Sequence, residues 1–442
     1  MLAACVSRRA AFLERLPTNA CAVLFSGREV RRNAENAHRF RPSSDFWFLT
    51  GFSEPDAVAV FTPGKDRRFT LFCRPRDRRA EVWSGHRTGL EGAPELYGAD
   101  QAFDVAELPK RLFELFNGCE EVHFLVGERS EYDELVGRTI AQLRRSERDG
   151  SRAPGRIVDL NRTLHELRVQ KDEAAVLCLR KSCQVTVEAH VLAMRACVAG
   201  KREYEIEALI DYAFRRRNGL PGFQSIVASG KNATTLHYVS CNDELQAGQM
   251  FLADAGCELD GFTGDVTRSY PIPLAGQKAS FSKEQRQLYD IVLDAQLAAI
   301  AAVRPGVTIE ELHTLTCHRL ASGLCALGLL PGDPASAVET GALLRFFPHR
   351  SNHFLGLDVH DAGRYFPGGE ARPLLSGTVL TVEPGLYIQP DDALGPAWRG
   401  IGIRIEDDIL ITATGHEVLT ADLPKQPEEL LKLVGAGVTL FV

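Results

Sequence analysis

Residues 250–272, MFLADAGCELDGFTGDVTRSYPI, contain two apolar, strand-like runs joined by Asp260-Gly261. Asp-Gly is a favoured two-residue turn between antiparallel strands, so this segment predicts a hairpin. With that turn, Asp254 lies opposite Thr267, and Asp265 is its diagonal neighbour on the same face. Two carboxylates on one face of an apolar hairpin repel each other, and burial raises the cost unless a proton or a cation lies between them. The alternative is that both carboxylates face solvent or accept hydrogen bonds from local backbone N–H groups.

A second segment, residues 346–361 (FFPHRSNHFLGLDVHD), concentrates histidine. A lone histidine is more often structural than a ligand, but His349, His353 and His360 lie within twelve residues of one another. Their spacing is not that of an H-E-x-x-H zinc helix. Gly356 and the run around it indicate a turn and a strand, not one continuous helix.

Two later segments resemble strands that carry acidic residues. In residues 377–388 (GTVLTVEPGLYI), Glu383 ends a strand before Pro384-Gly385. In residues 400–412 (GIGIRIEDDILIT), three isoleucines share one face, and the opposite face carries Gly402, Arg404 and Glu406. Taken alone, each pattern is typical of a half-exposed strand.

The composition describes a globular protein with two domains. The chain has 442 residues, of which 45% are hydrophobic and 25% charged. Its net charge of −7 does not indicate a nucleic-acid surface, and no apolar run of about 18 residues predicts a membrane span. The eleven cysteines contain no C-x-x-C pair, and the N-terminus has too short an apolar run for a signal peptide. We therefore expect reduced thiols and a cytoplasmic protein.

The pattern of elements changes near residue 165. Before it, short strand-like runs alternate with helical periods such as residues 105–116, which predicts an α/β domain over residues 1–165. The strand-like runs are residues 21–27, 46–52, 56–64, 68–75 and 121–127. After it, long helical periods at 283–303 and 309–328 and a strand-rich segment at 377–412 predict an α+β domain over residues 166–442.

The ordered motifs D-x10-D, H-x3-H-x6-H, TVEPG and IRIED together resemble the metallopeptidases of the pita-bread fold. That family includes methionine aminopeptidase, Xaa-Pro dipeptidase and aminopeptidase P, and the resemblance to bacterial aminopeptidase P extends nearly end to end. It implies a creatinase-like α/β N-terminal domain, concerned with oligomerisation or substrate access, and a pita-bread catalytic domain. The segments that carry the resemblance are 39–58, 80–83, 253–272, 356–363, 380–388 and 400–412.

The resemblance implies a site for two divalent metal ions. By position, the ligands would be Asp254, Asp265, His353, Glu383 and Glu406, with Asp265 and Glu406 bridging both ions. Four carboxylates and one imidazole suit hard or borderline ions. The family preference implies Mn²⁺, with Co²⁺, Zn²⁺ or Fe²⁺ as alternatives.

The implied reaction is hydrolysis of an N-terminal Xaa-Pro bond by a hydroxide held between two ions about 3.5–4 Å apart. Glu383 would be the general base, and His349 would donate a hydrogen bond to the tetrahedral intermediate. His237 and His360 would hold the substrate and shape the proline pocket, and Arg404 would fix Glu406. Trp83 resembles an aromatic residue that reaches a neighbouring subunit, which implies a homo-oligomer, a dimer or tetramer.

The sequence departs from the family pattern at one position near the site. The family usually has Gly after the first histidine of the H-x3-H motif, whereas this chain has Arg350, which leaves its substrate preference open. Two alternatives also stay open: a prolidase that cleaves only dipeptides, and an inactive pita-bread scaffold. All five implied ligands are present, which favours an enzyme over a scaffold.

Overall fold

The structure is a computed structural model that describes residues 2–438. The described chain divides after Arg168 into two compact units. The sequence places the boundary three residues earlier, after residue 165. Neither unit contains a helix long and apolar enough to cross a membrane, within the residues described.

The first unit is an α/β unit, as its alternating pattern predicts. Its elements are α1 (Leu2–Arg15), β1 (Ala20–Phe25), β2 (Arg31–Asn33), β3 (Asn36–Ala37), α2 (Ser44–Thr50), β4 (Val58–Phe61), β5 (Phe69–Cys73), α3 (Arg78–Ser84), α4 (Gly89–Tyr97), β6 (Gln101–Asp104), α5 (Leu108–Phe116), β7 (Glu121–Phe124), α6 (Ser130–Arg145), β8 (Arg156–Asp159) and α7 (Asn161–Val169).

Six of these strands form one mixed sheet in the order β6-β5-β4-β1-β7-β8. Strands β1, β7 and β8 run parallel, while β4 is antiparallel to both β1 and β5. Strands β1, β4, β5 and β7 are buried along their whole length, which explains why β1 and β4 are continuous apolar runs without alternation.

One strand prediction in this unit is wrong. Residues 46–52 are not a strand, because Phe46 to Thr50 belong to helix α2. A short apolar run does not distinguish a buried strand from one buried helical turn. The helix ends at Gly51, whose φ of 65° is a left-handed conformation that favours glycine.

A buried ion-pair cluster stabilises this unit. Asp45 on α2 accepts hydrogen bonds from Arg168 Nη1 at 2.7 Å and His165 Nε2 at 2.8 Å. Burial raises the pKa of Asp45, but the hydrogen bond from His165 and the charge of Arg168 outweigh it and hold that pKa below its usual value. The carboxylate therefore favours the folded state at neutral pH.

Replacing Asp45 by Asn will destabilise the protein by about 3 kcal/mol at pH 7, because it removes the carboxylate from a buried pair. A depressed folded pKa contributes stability above the unfolded value of about 3.9 and loses it as the pH falls through the folded pKa. The difference in urea midpoint between wild type and Asp45→Asn should therefore shrink below about pH 4. A difference that stays constant from pH 7 to pH 3 would contradict the ion-pair account.

The second unit is an α+β unit, again as predicted. Its elements are α8 (Glu173–Ala196), α9 (Glu203–Arg216), β9 (Leu220–Pro221), β10 (Ile226–Ser229), β11 (Met250–Ala255), β12 (Cys257–Leu259), β13 (Phe262–Thr263), β14 (Val266–Pro271), α10 (Lys283–Ala302), α11 (Ile309–Ala326), α12 (Pro334–Glu339), β15 (Val379–Val382), β16 (Gly385–Ile388), β17 (Ile401–Arg404), β18 (Asp407–Ile411), β19 (His416–Val418) and α13 (Pro427–Leu433).

The predicted hairpin forms with the predicted register. Asp254 on β11 lies opposite Thr267 on β14, and Leu259 lies opposite Phe262 across the two-residue turn. Asp260 and Gly261 have φ values of 53° and 83°, as a type I′ turn requires. Within the hairpin, a Cβ on Gly256 would lie 1.7 Å from the carbonyl oxygen of Gly264, so the close approach of the two chains there requires glycine.

Residues 400–412 are more buried than their alternating pattern predicts. They form two strands, β17 and β18, and every residue from Ile401 to Ile411 is buried. Strand β17 pairs with β16, and β18 pairs with β15 and β19. The half-exposed interpretation is therefore wrong, and the acidic residues of this segment are inside the protein.

Candidate metal centre

The second unit contains a cavity of about 890 Å³, a volume typical of sites for small ligands. Its lining includes nine of the ten predicted site residues: Asp254, Asp265, His237, His349, His353, His360, Glu383, Arg404 and Glu406. Trp83 lies in the first unit, on α3, and its side chain is 91% exposed. The pocket-forming side chains include residues from the hairpin, the segment around His237, the start of α11, the loop before β15 and the ends of β15 and β17.

Backbone hydrogen bonds align the loop that contains His353 with β15 and with Glu383, the residue that follows β15. The N–H of Thr381 donates to the carbonyl of His353 at 3.0 Å, and the N–H of Glu383 donates to the carbonyl of Ser351 at 2.9 Å. This pairing places His353 Nε2 3.5 Å from Glu383 Oε1 and 3.3 Å from Asp265 Oδ2.

Glu406 joins the same cluster from the gap between β17 and β18. Its backbone N–H donates to the carbonyl of Thr267 at 3.1 Å, and the Thr267 hydroxyl donates to Glu406 Oε2 at 2.7 Å. Ligand atoms of Asp265, His353 and Glu406 all lie within 4.8 Å of one another, so these three side chains could hold one metal ion.

The donor set fits a cation on two observations. His353 Nδ1 lies 3.1 Å from the carbonyl of Phe354 and must carry the proton, which leaves the Nε2 lone pair facing Asp265 and Glu383. In addition, Asp254 Oδ1 is buried and has no hydrogen-bond partner within the described chain. Lone pairs that face carboxylates in a buried site are stable only with a proton or a cation between them.

The titration behaviour of the cluster has the same cause. Burial is the larger cause and repulsion from neighbouring carboxylates the second, and together they raise the pKa of both Asp265 and Glu406 well above the usual values. Burial also raises the pKa of Glu383 to about 7, although His353 and Arg404 oppose it. Divalent cations would stabilise the ionised form of all three carboxylates in place of protons.

Arg404 contacts Asp254 and not Glu406. Its Nη2 forms an ion pair with Asp254 Oδ2, and its Nε donates to the Thr267 hydroxyl at 2.9 Å. Thr267 in turn donates to Glu406, so Arg404 reaches Glu406 only through that hydroxyl. Arg404 is therefore a direct partner of Asp254, and it can fix Glu406 only through the Thr267 hydroxyl.

The tautomer of His349 follows from its two partners. Its Nδ1 lies 2.7 Å from the carbonyl of Arg350, which can only accept, so Nδ1 carries the proton. Its Nε2 accepts from the hydroxyl of Tyr387 at 2.9 Å, and that hydroxyl accepts from Arg404 Nη1 at 2.9 Å. Burial, and next the charge of Arg404, lower the pKa of His349 to about 3, so the ring is neutral. Its proton lies on the side of Glu383, whose Oε2 is 3.6 Å from Nδ1.

The remaining two histidines lie at other parts of the cavity wall. The His360 ring packs edge-on against the His353 ring, with centroids 4.4 Å apart. Its segment is fixed by a buried ion pair of 2.8 Å between Lys171 and Asp361. His237 follows the short 3₁₀ helix Gly230–Thr234 and is exposed to the cavity.

Three residues that contact the cluster were not among the sequence candidates. Tyr387 connects Arg404 to His349, Thr267 connects Arg404 to Glu406, and Asp408 Oδ2 accepts from the backbone N–H of Asp265 at 3.0 Å. The one available signal was position: Thr267 lies opposite Asp254 in the predicted hairpin, and Asp408 lies two residues after Glu406.

Family comparisons agree with this geometry. Residues 177–413 match the model of metallopeptidase family M24, and residues 5–124 match that of the aminopeptidase P N-terminal domain. The chain belongs to metallopeptidase family M24. The predicted family and fold class, an α/β N-terminal domain with a pita-bread catalytic domain, are thereby confirmed.

Relatives of this M24 metallopeptidase cover almost the whole chain. It is 40% identical to Xaa-Pro aminopeptidase of Escherichia coli strain K12 over 97% of both chains. It is 34% identical to Xaa-Pro aminopeptidase of Haemophilus influenzae over 97% of this chain and 96% of the relative.

Solved structures are also similar to this chain over nearly its whole length. The structure of Pseudomonas aeruginosa aminopeptidase PepP matches with a TM-score of 0.95 and 39% identity, over 99% of this chain and 98% of that one. A zinc-substituted E. coli aminopeptidase P in complex with product matches with the same TM-score and identity, over 100% and 99%. The M24 chain described here is therefore a metallopeptidase with a possible metal site at the floor of its cavity.

Proposed function

We propose that this M24 metallopeptidase removes the N-terminal residue from peptides that have proline at the second position. The observation that carries the proposal is the 40% identity over 97% of the chain to an Xaa-Pro aminopeptidase. It is supported by the convergence of Asp265, His353 and Glu406 at the floor of one cavity.

Two divalent ions are the cofactor that the donor set supports. Asp254, Asp265, His353, Glu383 and Glu406 would hold them, with Asp265 and Glu406 between the two. We propose Mn²⁺ as the native metal from the family preference, and four carboxylates with one imidazole fit it as they fit other hard or borderline ions. When bound, the ions would polarise the scissile carbonyl and lower the pKa of the attacking water.

The chain's own residues supply the proton transfers. Glu383 takes a proton from the attacking water and passes it to the proline nitrogen as the carbon–nitrogen bond breaks. Burial raises the pKa of Glu383 to about 7 in the absence of metal, and bound cations would lower it, so Glu383 would be ionised and ready to accept a proton near neutral pH. The neutral His349 carries its one ring proton on Nδ1, 3.6 Å from Glu383 Oε2, and would donate it to the oxyanion by exchanging its present hydrogen bond to the Arg350 carbonyl.

His237 and His360 both line the cavity and would hold the substrate beside the cluster. Arg404 acts as a positioning residue through its pair with Asp254. The eleven cysteines are all free and ten are buried, which supports a reducing, cytoplasmic setting. The 91% exposed Trp83 supports assembly into a homo-oligomer, because an exposed tryptophan on one helix is a typical interface residue.

A peptide panel tests the proposal against its nearest alternative. Metal-loaded protein should release the first residue of Ala-Pro-Ala and of Ala-Pro-Ala-amide, and leave Ala-Ala-Ala uncleaved. The cavity volume of about 890 Å³ leaves room for residues beyond a dipeptide. Cleavage restricted to Ala-Pro would instead identify a prolidase, and absence of any cleavage with bound metal would identify an inactive scaffold.

A buried carboxylate holds the segment that contains His237. Glu203 at the start of α9 accepts from the backbone N–H and hydroxyl of Ser229, at 2.6 and 2.7 Å. It also accepts from the Tyr238 hydroxyl at 2.8 Å and from the backbone N–H of Asp243 at 3.0 Å. Both ends of the segment that contains His237 are thus connected to one fully buried side chain.

Replacing Glu203 by Ala should raise KM for Ala-Pro-Ala by roughly tenfold with little change in bound metal, because its donors lose their common acceptor. Hydrogen exchange of residues 229–243 should accelerate in the same variant. Tyr204→Ala, at the exposed neighbouring position, is the control and should leave both unchanged. An unchanged KM in Glu203→Ala would show that this segment does not contribute to substrate binding.

A further inference from the structure

Arg350 lies at the mouth of the cavity, on the loop between His349 and His353. Its guanidinium pairs with the carboxylate of Glu310, in the first turn of α11. Both side chains line the cavity and are about half exposed, at 52% and 42%. They are therefore in contact with both the cavity and solvent.

The charges that line the cavity do not cancel once the metal ions are bound. Two divalent ions offset the four carboxylates at the floor, and Glu310 offsets one arginine. Among the described lining residues, Arg350 and Arg404 contribute the opposing positive charges. With the ions bound, the charge of Arg404 is then not offset within this set, so the cavity keeps about one positive charge and would attract an anionic peptide.

The position of the scissile bond decides which part of a substrate meets Arg350. That bond must lie at the cluster formed by Asp265, His353 and Glu406, so the chain after proline leads outward. Each further residue extends the peptide by about 3.3–3.6 Å. The third residue, with its side chain and its carboxyl group, is thus the first part to reach the mouth.

A guanidinium is suited to bind a carboxylate there. It has five N–H donors in a planar fork, and Glu310 accepts from the two terminal nitrogens only. A half-exposed ion pair is worth little, so a second carboxylate can share or displace it at low cost. Glu310 is the competing anion, since it repels an incoming carboxylate.

We propose that Arg350 is a specificity-determining residue that binds a peptide carboxylate next to the proline, and that Glu310 weakens this preference. The carboxylate is either the C-terminus of a tripeptide or the side chain of an acidic third residue. This inference rests on the proposed Xaa-Pro aminopeptidase function. It gives a role to an arginine that lies on the loop between His349 and the proposed ligand His353.

The test compares matched peptides with wild type, Arg350→Gln and Glu310→Gln. One arm compares kcat/KM for Ala-Pro-Ala with that for Ala-Pro-Ala-amide. The other compares Ala-Pro-Asp-amide with Ala-Pro-Asn-amide, which have the same shape and differ in charge. In wild type, we expect the charged peptide of at least one pair to be preferred by about three- to tenfold.

The quantity to compare is the ratio of kcat/KM for the charged peptide to kcat/KM for the uncharged peptide of the same pair. The two variants should change this ratio in opposite directions. Arg350→Gln should bring it close to one, and Glu310→Gln should raise it above the wild-type value, whereas a merely structural pair would give the same change in both. Arg345→Gln is the matched control, because Arg345 is also half exposed and pairs with Asp392 outside the cavity lining. It should keep the wild-type ratio.

Calorimetric binding of Pro-Ala and Pro-Ala-amide gives a readout that needs no turnover. The difference in Kd between these two products should also shrink in Arg350→Gln if the C-terminus is the ligand. Ratios near one in wild type for both peptide pairs, or ratios unchanged in Arg350→Gln, would overturn the proposal. Failure of wild type to cleave any of the four peptides would instead overturn the proposed function.

Discussion

Asp265→Asn and Glu406→Gln will each lower kcat/KM for Xaa-Pro peptides by at least roughly a thousandfold and reduce metal binding. Changes to residues outside the ligand shell typically cost 10- to 100-fold, so loss of a ligand shared between two ions should cost more. Both side chains are buried in the same small cluster, to which each contributes a possible ligand atom. Without one carboxylate, two cations in this site would repel each other with less shielding.

The measurement is metal content by mass spectrometry, together with single-turnover cleavage of Ala-Pro-Ala. Asp294→Asn is the control, because Asp294 is an exposed carboxylate on α10, paired with Arg319. It should keep full activity and metal content. Near-normal turnover with two bound ions in either cluster variant would show that the assigned ligand roles are wrong.

Arg268→Met should lower the free energy of unfolding by about 3–5 kcal/mol, because it removes one partner of a fully buried ion pair. The Arg268 guanidinium is 2.7 Å from Asp407 Oδ1, and both side chains are almost completely inaccessible. The same guanidinium donates to the carbonyls of Glu406 and Leu423, so it also fixes the backbone of a proposed ligand.

Asp407→Leu added to Arg268→Met should recover part of this loss, since the carboxylate is then no longer buried without its main partner. Guanidinium chloride unfolding measures both variants. Arg217→Met is the control, because Arg217 pairs with Glu188 at the surface and should change stability by less than about 1 kcal/mol. A loss below about 1 kcal/mol in Arg268→Met would show that the buried pair does not stabilise the fold.

Local sequence patterns predicted the elements whose geometry is set by a turn or by a long period. The Asp260-Gly261 turn fixed the hairpin register and therefore the position of Asp254 opposite Thr267. The long helices α10 and α11 are found where the 3.6-residue period places them. In contrast, residues 46–52 form a helix and not a strand, because periodicity does not separate the two in a short buried run.

The contacts among site residues could not be predicted from local patterns. Arg404 is two residues from Glu406 in sequence, yet its ion pair is with Asp254, 150 residues away. Tyr387 resembles any aromatic residue in an apolar strand, and its role as the connection between Arg404 and His349 depends on how the strands meet. The acidic residues of 400–412 are buried because β17 and β18 are covered on both faces, which strand alternation does not reveal.

Anomalous diffraction from crystals grown with Mn²⁺ tests the central claim most directly. The account predicts two strong anomalous peaks per chain, surrounded by Asp254, Asp265, His353, Glu383 and Glu406, with Asp265 and Glu406 contacting both. A cavity floor without any peak, or peaks bound to other side chains while these five stay uncoordinated, would contradict it.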